Sequence, residues 1–473
     1  MLRAISRPLV IALVVGAAAT AQVDRHELGL RLRTFEQRLG ACADRGRQVA
    51  ALRELDRAVQ AFFRFDLAAV ARAIDAADVR LDAAPPEAAE RFARSTQLAL
   101  AARLCDPKAG AVAFTLGAAF AAAGPCPEGL LLEVALDGDA QPRVVVPVSA
   151  LPTSGVLPLA EAAVGDRVLK WSLRLGDRVV LQRRQGLSLA AELAPRLAAL
   201  AAKVEEREAN GTLEDASAAM LARLLASMTG SPTEETVLPG ARLLGDAEAM
   251  LAADAGAPFF GPARPGEHWV RVPLRRGAAT VRIAVPAGGD AAVLRPVVVA
   301  MHGAGGSENM FFDSYGAGAI VDLCRSRGWY LVAPRSELLG GYDAVELVEA
   351  LARRWPIDLG KVLLVGHSMG AAQATAAVVR APGRFAAVAL LGGGGGVGKG
   401  RGLAGRPFFV GAGERDFGRA GALGLHRALA KAGAAAEWRE YEAVEHLAVV
   451  QFALPDVFAF YDRALQPAAD AGK

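Results

Sequence analysis

Cysteine is scarce in this sequence. The chain has 4 cysteines among 473 residues, too few for a fold that depends on disulfides instead of a hydrophobic core. Three of them, Cys42, Cys105 and Cys126, lie in the N-terminal part, and the sequence leaves open one disulfide among them or three buried thiols. Cys324 falls in a helix-like stretch without a histidine suited to activate it, so we expect it to be a core residue.

An excess of one charge is also missing. The chain carries 53 basic and 50 acidic residues, a net charge of +3, and the two signs are interspersed. Proteins that bind nucleic acid or anionic membranes usually concentrate basic residues on one face or segment. We therefore expect no nucleic-acid partner and no anionic membrane surface as the main partner.

Long apolar runs are missing except at the beginning. Arg3 and Arg7 precede an apolar run over 8–18, which small residues follow at 19–21. This pattern predicts a signal peptide over 1–21, with export to the periplasm or the medium. An uncleaved membrane anchor is the alternative, although the run is shorter than the ~20 residues that a spanning helix needs. No later run is long enough, so we expect no stable membrane insertion after cleavage.

The length of the chain predicts more than one domain, and the periodicity of apolar residues changes several times before residue 269. Apolar residues at helical spacing alternate with β-branched runs bounded by Gly, Pro and Asp. The predicted parts are a helical region over 22–108, a small β-rich unit over 109–186, a helical segment over 187–255 and a Pro/Gly-rich linker over 256–268.

The remaining stretch, 269–467, alternates strand and helix patterns in the way that is typical of an α/β domain with a mostly parallel sheet. Eight strands are predicted, at 269–274, 280–286, 296–301, 330–334, 362–366, 386–392, 407–411 and 436–442. Helices are predicted at 316–327, 342–354, 369–381, 418–432 and 448–464.

A candidate nucleophile follows the fifth predicted strand of this domain. Ser368 stands in the sequence Gly-His-Ser-Met-Gly over 366–370, between an apolar strand and an alanine-rich helix. A serine hydroxyl is a poor nucleophile unless a tight turn holds it exposed beside a base, and such a turn requires small flanking residues. The motif and its strand-to-helix context predict a serine hydrolase.

A glycine-rich loop at 302–306 follows the third predicted strand. Glycines let backbone amides approach a substrate carbonyl closely, because they remove side-chain bulk and permit unusual dihedral angles. We expect the N–H groups of Ala304 and Met369 to form an oxyanion hole.

The base and its orienting acid are expected after the serine, in the order acid then histidine. Of the two downstream histidines, His426 falls inside a predicted helix, whereas His446 opens a loop after the last strand. His446 is therefore the predicted base. Asp416, in the glycine turn after the seventh strand, is the predicted acid, with Glu414 as the alternative.

Three features together, the segment 296–306, the elbow preceded by 357–362, and the Asp and His placements, resemble secreted α/β-hydrolases of the feruloyl-esterase and polyhydroxybutyrate-depolymerase-like group. The resemblance covers roughly the last 200 residues and implies an α/β-hydrolase sheet. Ala371 departs mildly from that group, in which glycine is frequent. The preceding 250 or so residues resemble no family that we can name.

The loops near the predicted site suggest how a substrate is held. We expect Asn309, Phe312, Phe417 and Leu447 to shape the acyl or alcohol pocket, or else to pack in the core. The glycine run over 393–399 imitates a phosphate-binding loop, but Gly400 replaces the Ser or Thr that would hold magnesium. About a dozen residues join the sixth and seventh strands, which excludes a large lid inserted there.

These expectations define a secreted serine esterase that acts on an ester-containing small molecule or polymer and needs no metal or organic cofactor. A serine peptidase of the same fold and a non-catalytic binding protein are the alternatives. For the N-terminal region we expect a structural or capping role, with polymer or partner recognition as the alternative.

Overall fold

The computed structural model describes residues 23–207, 211–230, 234–253, 257–288, 292–336 and 342–466. The predicted signal peptide over 1–21 therefore lies outside the described residues. No helix in the described part of the chain has the length and apolar character needed to cross a membrane.

Four helices begin the described chain. Aspartates at the N-termini of the first three accept hydrogen bonds from otherwise unpaired backbone amides, which favours helix initiation at these points: Asp24 accepts from Glu27, Asp44 from Arg47 and Asp66 from Ala69. The helices are α1 (Arg25–Ala41), α2 (Arg45–Phe63), α3 (Leu67–Val79) and α4 (Ala88–Arg94).

A β-rich unit follows, with its own apolar core. Its sheets have the strand orders β1-β3-β6 and β2-β8-β7-β4-β5. The strands are β1 (Thr96–Leu100), β2 (Leu104–Cys105), β3 (Ala111–Ala118), β4 (Leu130–Leu136), β5 (Val144–Pro147), β6 (Thr153–Pro158), β7 (Gly165–Leu175) and β8 (Arg178–Leu189).

The boundaries predicted for this unit were wrong at both ends. Strands β1 and β2 lie inside the stretch predicted to be helical, and β8 runs past residue 186. Both short strands are defined by distant partners: β1 pairs with β3, and β2 pairs with the end of β8. Such long-range pairing leaves little trace in the local periodicity of an alanine-rich stretch.

Three helices, α5 (Leu193–Arg207), α6 (Leu213–Met228) and α7 (Gly240–Ala252), occupy the second predicted helical segment.

The stretch predicted as a linker packs against the rest of the protein. Phe259 and Phe260 are buried, and the first strand of the next domain already begins at Gly266. The prediction of a simple linker over 256–268 was therefore wrong, because the two aromatic rings bind this segment to the core.

The C-terminal domain contains the eight predicted strands and the five predicted helices. A further short helix precedes the first of these helices in the chain. The strands are β9 (Gly266–Pro273), β10 (Ala278–Val285), β11 (Arg295–Met301), β12 (Tyr330–Pro334), β13 (Ile357–His367), β14 (Ala387–Leu391), β15 (Pro407–Gly413) and β16 (Ala435–Tyr441). The helices are α8 (Met310–Asp313), α9 (Ala319–Arg325), α10 (Ala344–Ala352), α11 (Met369–Arg380), α12 (Arg419–Lys431) and α13 (Val449–Ala464).

These strands form one sheet in the order β16-β15-β14-β13-β11-β12-β10-β9. Strand β10 runs antiparallel to both of its neighbours, and the pairs from β12 to β16 are parallel. Side chains of β11, β13 and β14 alternate between two cores, one on each face, as expected of a sheet covered on both sides. One core contains residues of α6 and α7, and the other contains residues of α1, α2 and α3.

All four cysteines are free thiols. No disulfide joins Cys42, Cys105 and Cys126, and of these three Cys105 alone is buried. Cys324 is buried as expected, and burial raises the pKa of its thiol. Hydrophobic packing therefore holds the N-terminal region together without a covalent link.

Candidate active site

Ser368 lies in a strained turn between β13 and α11. Its backbone has φ 55° and ψ −115°, a conformation that L-residues rarely adopt and that marks functional sites. The flanking glycines are required by sterics. A Cβ at Gly366 would lie 2.3 Å from the carbonyl oxygen of Gly370, and one at Gly370 would lie 2.0 Å from that of Met301.

This turn lies at the carboxyl end of β13. Within the sheet, β11 and β12, the third and fourth strands of the domain along the chain, are reversed relative to their chain order, and β10, the second strand, is antiparallel to its neighbours. A strained serine between a central strand and a helix is the nucleophile elbow of one fold. The C-terminal domain has the α/β-hydrolase fold. The predicted eight-stranded, mostly parallel sheet is thereby confirmed.

In this α/β-hydrolase domain, three side chains from separate loops form a continuous hydrogen-bonded chain. The Ser368 Oγ lies 3.0 Å from Nε2 of His446. Nδ1 of the same imidazole lies 2.6 Å from Oδ1 of Asp416. With Nδ1 protonated toward the carboxylate, Nε2 is free to accept the serine proton, which is the arrangement that activates a serine hydroxyl.

The turn after β15 presents Asp416 rather than Glu414 to the imidazole. Asp416 is buried, and its Oδ1 also accepts a hydrogen bond of 2.7 Å from the amide of Gly418. Glu414 is exposed and accepts a hydrogen bond from the amide of Ala443. Glu414, the alternative acid, therefore forms its hydrogen bond at the surface and not with the imidazole.

The glycine loop after β11 and the start of α11 both lie next to the serine. Ala304 lines the same cavity as Ser368, and Met369 is the first residue of α11, where backbone amides lack partners within the helix. His302 fixes the loop, because its Nδ1 donates to the Gly303 carbonyl and its Nε2 accepts from the Ser336 amide. Of the two predicted amide donors, Ala304 thus lines the cavity with Ser368, and Met369 directly follows Ser368 in the chain.

A second histidine, His367, connects this loop to the histidine loop, and the sequence analysis missed its role. The Gly303 amide donates to the Tyr315 hydroxyl, which donates to Nδ1 of His367 at 2.9 Å. Nε2 of His367 then donates to the backbone carbonyl of His446, also at 2.9 Å. Burial lowers the pKa of His367 to about 3, so the ring is neutral and each nitrogen keeps one role.

Two of the four predicted pocket residues lie at the site. Leu447 lines the cavity beside Ser368. Phe417 stacks on the imidazole of His446, with ring centroids 3.9 Å apart, and 62% of its surface remains exposed.

The other two, Asn309 and Phe312, do not line the cavity beside Ser368 and instead take the core-packing role that was the alternative. The amide oxygen of Asn309 accepts hydrogen bonds from the indole of Trp269 and from Arg282. The ring of Phe312 lies against the same guanidinium, 4.5 Å from ring centroid to guanidinium carbon. Both residues contact Arg282, whose buried charge requires polar and aromatic partners, and neither lines the cavity beside Ser368.

The glycine run at 393–399 packs against the elbow. A Cβ at Gly393 would lie 2.4 Å from the carbonyl oxygen of Ser368, and one at Gly395 would lie 2.8 Å from the side chain of Thr375. Close backbone packing accounts for these two glycines. Within the described ranges, no group of three or more His, Cys, Asp and Glu side chains is arranged to hold a metal ion.

No protein-family model and no curated protein matches the chain. Solved structures to which it is similar include the feruloyl esterase module from Clostridium thermocellum, with 13% identity over 44% of this chain and 93% of that chain and a TM-score of 0.36. A thermophilic carboxylesterase cloned from a metagenomic library has 18% identity over 42% and 90% of the two chains, with a TM-score of 0.35. An esterase from the archaeon Pyrobaculum calidifontis has 18% identity over 43% and 87%, with a TM-score of 0.33. The strand order and the elbow of this chain carry the fold assignment by themselves.

Proposed function

We propose that this protein is a serine hydrolase that cleaves carboxylic esters through an acyl-enzyme at Ser368. The observation that carries the proposal is the hydrogen-bonded chain from Ser368 through His446 to Asp416. The walls of the adjoining cavity are mostly apolar, which suits the acyl or alcohol group of an ester better than the N–H and C=O groups of a peptide.

The reaction follows from this geometry. Oγ of Ser368 attacks the ester carbonyl while His446 accepts its proton, and the new C–O bond gives a tetrahedral oxyanion. The amides of Ala304 and Met369 stabilise that charge, at about 3 to 4 kcal/mol for each donor in comparable sites. His446 then protonates the leaving alcohol, and Asp416 stabilises the imidazolium.

Deacylation repeats these steps with water. His446 removes a proton from a water molecule, the resulting hydroxide attacks the acyl carbon, and the carboxylic acid leaves as Oγ of Ser368 regains its proton. The two half-reactions consume one water and need no cofactor.

A fluorophosphonate probe tests the nucleophile. We expect the purified chain to be labelled and Ser368→Ala to be unlabelled, whereas Ser326→Ala, at an exposed serine after α9, should be labelled like the wild type. A wild-type chain that resists the probe would support a non-catalytic binding protein and overturn the proposal.

Substrate class is tested by comparing p-nitrophenyl esters with aminoacyl and prolyl p-nitroanilides. We expect hydrolysis of the esters at rates that exceed those of the anilides by orders of magnitude. Faster cleavage of an anilide would favour the peptidase alternative.

We further propose that the chain is exported and cleaved after Ala21. The charged, apolar and small-residue segments at its start support this. N-terminal sequencing of the protein from the periplasm or medium should begin at Gln22, and an intact Met1 on exported protein would contradict the proposal.

A further inference from the structure

A small apolar cavity adjoins Ser368, and the N-terminal helices form much of its wall. Its volume is about 130 Å³, and it is also bounded by the oxyanion loop and by His446. Three helices contribute apolar side chains to this wall: Leu28 and Leu32 of α1, Val59 and Phe62 of α2, and Val70 and Ile74 of α3.

The same helices hold the oxyanion loop. Phe62 packs so closely on the loop that a Cβ at Gly305 would lie 2.5 Å from its Cζ. Nη2 of Arg25 donates to the Gly305 carbonyl at 2.7 Å and pairs with Glu235 at 3.1 Å. The carboxylate of Glu235 in turn accepts a hydrogen bond from Ser307 at the end of the loop. The loop that would stabilise the oxyanion therefore has its outer side fixed by the N-terminal region.

We propose that α1, α2 and α3 form the acyl pocket of the enzyme and restrict it to esters of short or single-ring acids. This inference rests on the ester hydrolysis proposed above. A cavity of about 150 Å³ lined by apolar side chains holds one benzene molecule, so the 130 Å³ beside Ser368 suits an acyl group of about that size. Pockets for larger organic ligands have volumes of about 300 to 1,000 Å³.

The geometry assigns the cavity to the acyl group rather than to the alcohol. The alcohol must take its proton from His446 and leave before water can enter, so it needs a route to solvent. Phe417 covers one face of that imidazole and is itself 62% exposed, which places solvent on that side. The acyl group stays bound to Ser368 during deacylation, and the cavity under the helices keeps its apolar atoms away from water.

Val59 offers the sharpest test, because its side chain lines the cavity from the C-terminal part of α2. Val59→Ala enlarges the pocket and Val59→Phe fills it. Gln60→Ala is the matched control, since the neighbouring side chain on the same helix is exposed. Two substrate series are needed: p-nitrophenyl esters from acetate to octanoate, and acetate esters of alcohols from ethanol to octanol. Labelling of Ser368 by the fluorophosphonate probe reports whether each variant keeps a working nucleophile.

For the wild type we expect kcat/KM to fall about tenfold or more between the butyrate and the octanoate, the usual effect of a hydrophobic pocket of fixed size. Val59→Ala should reduce that ratio by about tenfold and Val59→Phe should increase it by a similar factor, with Gln60→Ala unchanged. The dependence on the length of the alcohol should stay the same in all four proteins.

Two results would overturn the inference while leaving ester hydrolysis intact. One is an acyl-length profile that neither Val59 variant changes although Ser368 is labelled in both. The other is a change confined to the alcohol series, which would place the alcohol in the cavity. Failure of the wild type to react with the probe or with any ester would instead refute the proposed function itself.

Discussion

At the scale of single residues, the two neighbouring histidines of the site, His446 and His367, have different roles because their surroundings differ. His446 contacts a carboxylate and a hydroxyl, whereas His367 contacts only neutral groups and is fully enclosed. A buried ring without a carboxylate partner stays neutral. Through Tyr315, His367 therefore connects the glycine loop at Gly303 to the loop that contains His446.

Replacing His367 by Phe should preserve the ring and remove both hydrogen bonds. Because the carbonyl of His446 would lose its donor, we expect kcat for a short ester to fall roughly 10- to 100-fold with little change in KM. Steady-state kinetics measure this, with His426→Phe on the distant helix α12 as the control. An increase in KM at unchanged kcat would show that His367 serves binding rather than positioning.

The acid of the site is tested by exchanging its carboxylate for an amide. Asp416→Asn should lower kcat by about 10⁴-fold, because an amide favours the wrong tautomer of His446. Glu414→Gln is the matched control and should leave kcat near the wild-type value. If the two variants were equally impaired, the assignment of the acid would be incorrect.

Glu445, next to the base, couples stability to pH. Burial raises the pKa of this carboxyl to about 8, although the amides of Leu447 and Ala448 donate to it and lower the pKa. Between its ordinary value and about 8 the folded state binds more protons than the unfolded state, so stability is highest at low pH and is lost as pH rises through that window.

Glu445→Gln should therefore flatten the decline in the free energy of unfolding between about pH 5 and 8, by an amount on the order of a few kcal/mol. Urea unfolding at several pH values measures it, with Glu442→Gln, at an exposed site, as the control. Equal slopes for the wild type and Glu445→Gln would contradict a raised pKa in the folded state.

At the scale of secondary-structure elements, close backbone contact rather than helix propensity determines where glycine is needed. Gly370, the second residue of α11, packs against the backbone of β11, whereas Gly424 in α12 has open space around it. Glycine is therefore required by close packing at position 370, whereas at position 424 it only lowers the stability of the helix.

We expect Gly370→Ala to destabilise the fold by several kcal/mol and to abolish labelling of Ser368, because the neighbouring backbone cannot move aside. Gly424→Ala should stabilise the protein by about 0.5 to 1 kcal/mol, since alanine loses less entropy in a helix. Urea unfolding of both variants checks the pair, and a well-folded, labelled Gly370→Ala would refute the steric argument.

At the scale of the whole molecule, the helical N-terminal region and the α/β-hydrolase domain share one core. Buried residues of α1, α2 and α3 belong to the same cluster as residues of β11, β13 and α13. The β-rich unit instead has a separate cluster of its own. Loss of packing in the N-terminal helices should thus reach the active site.

Two leucine truncations distinguish these cores. Leu52 of α2 and Leu132 of β4 are both fully buried, and each change to Ala should cost about 2 to 5 kcal/mol locally. Leu52→Ala should lower the urea concentration at which esterase activity is lost, whereas Leu132→Ala should affect it much less. Equal shifts would mean that all parts of the chain unfold as one unit.

Much of the C-terminal domain could be predicted from sequence because its signals are local. Apolar strands alternate with amphipathic helices, and the strand and helix positions found over 266–464 agree with those predicted to within a few residues, apart from the longer start of β13. Ser368 could be named because its turn needs flanking glycines, and His446 because the other downstream histidine falls in a helix. Asp416 follows from a strand that ends in a glycine turn.

Other features depend on contacts between residues that are tens to hundreds of positions apart, and only the tertiary structure decided them. Asn309 and Phe312 turn toward Arg282 because a buried guanidinium requires partners. Strands β1 and β2 exist through their distant pairing partners. The cavity beside Ser368 has walls from helices that precede it by some 300 residues. The sequence by itself indicated Ser368 as the candidate nucleophile, because a strained turn leaves a local signature. Packing between distant segments of the chain determined the shape of the pocket, because no local sequence pattern shows which helix will cover a serine.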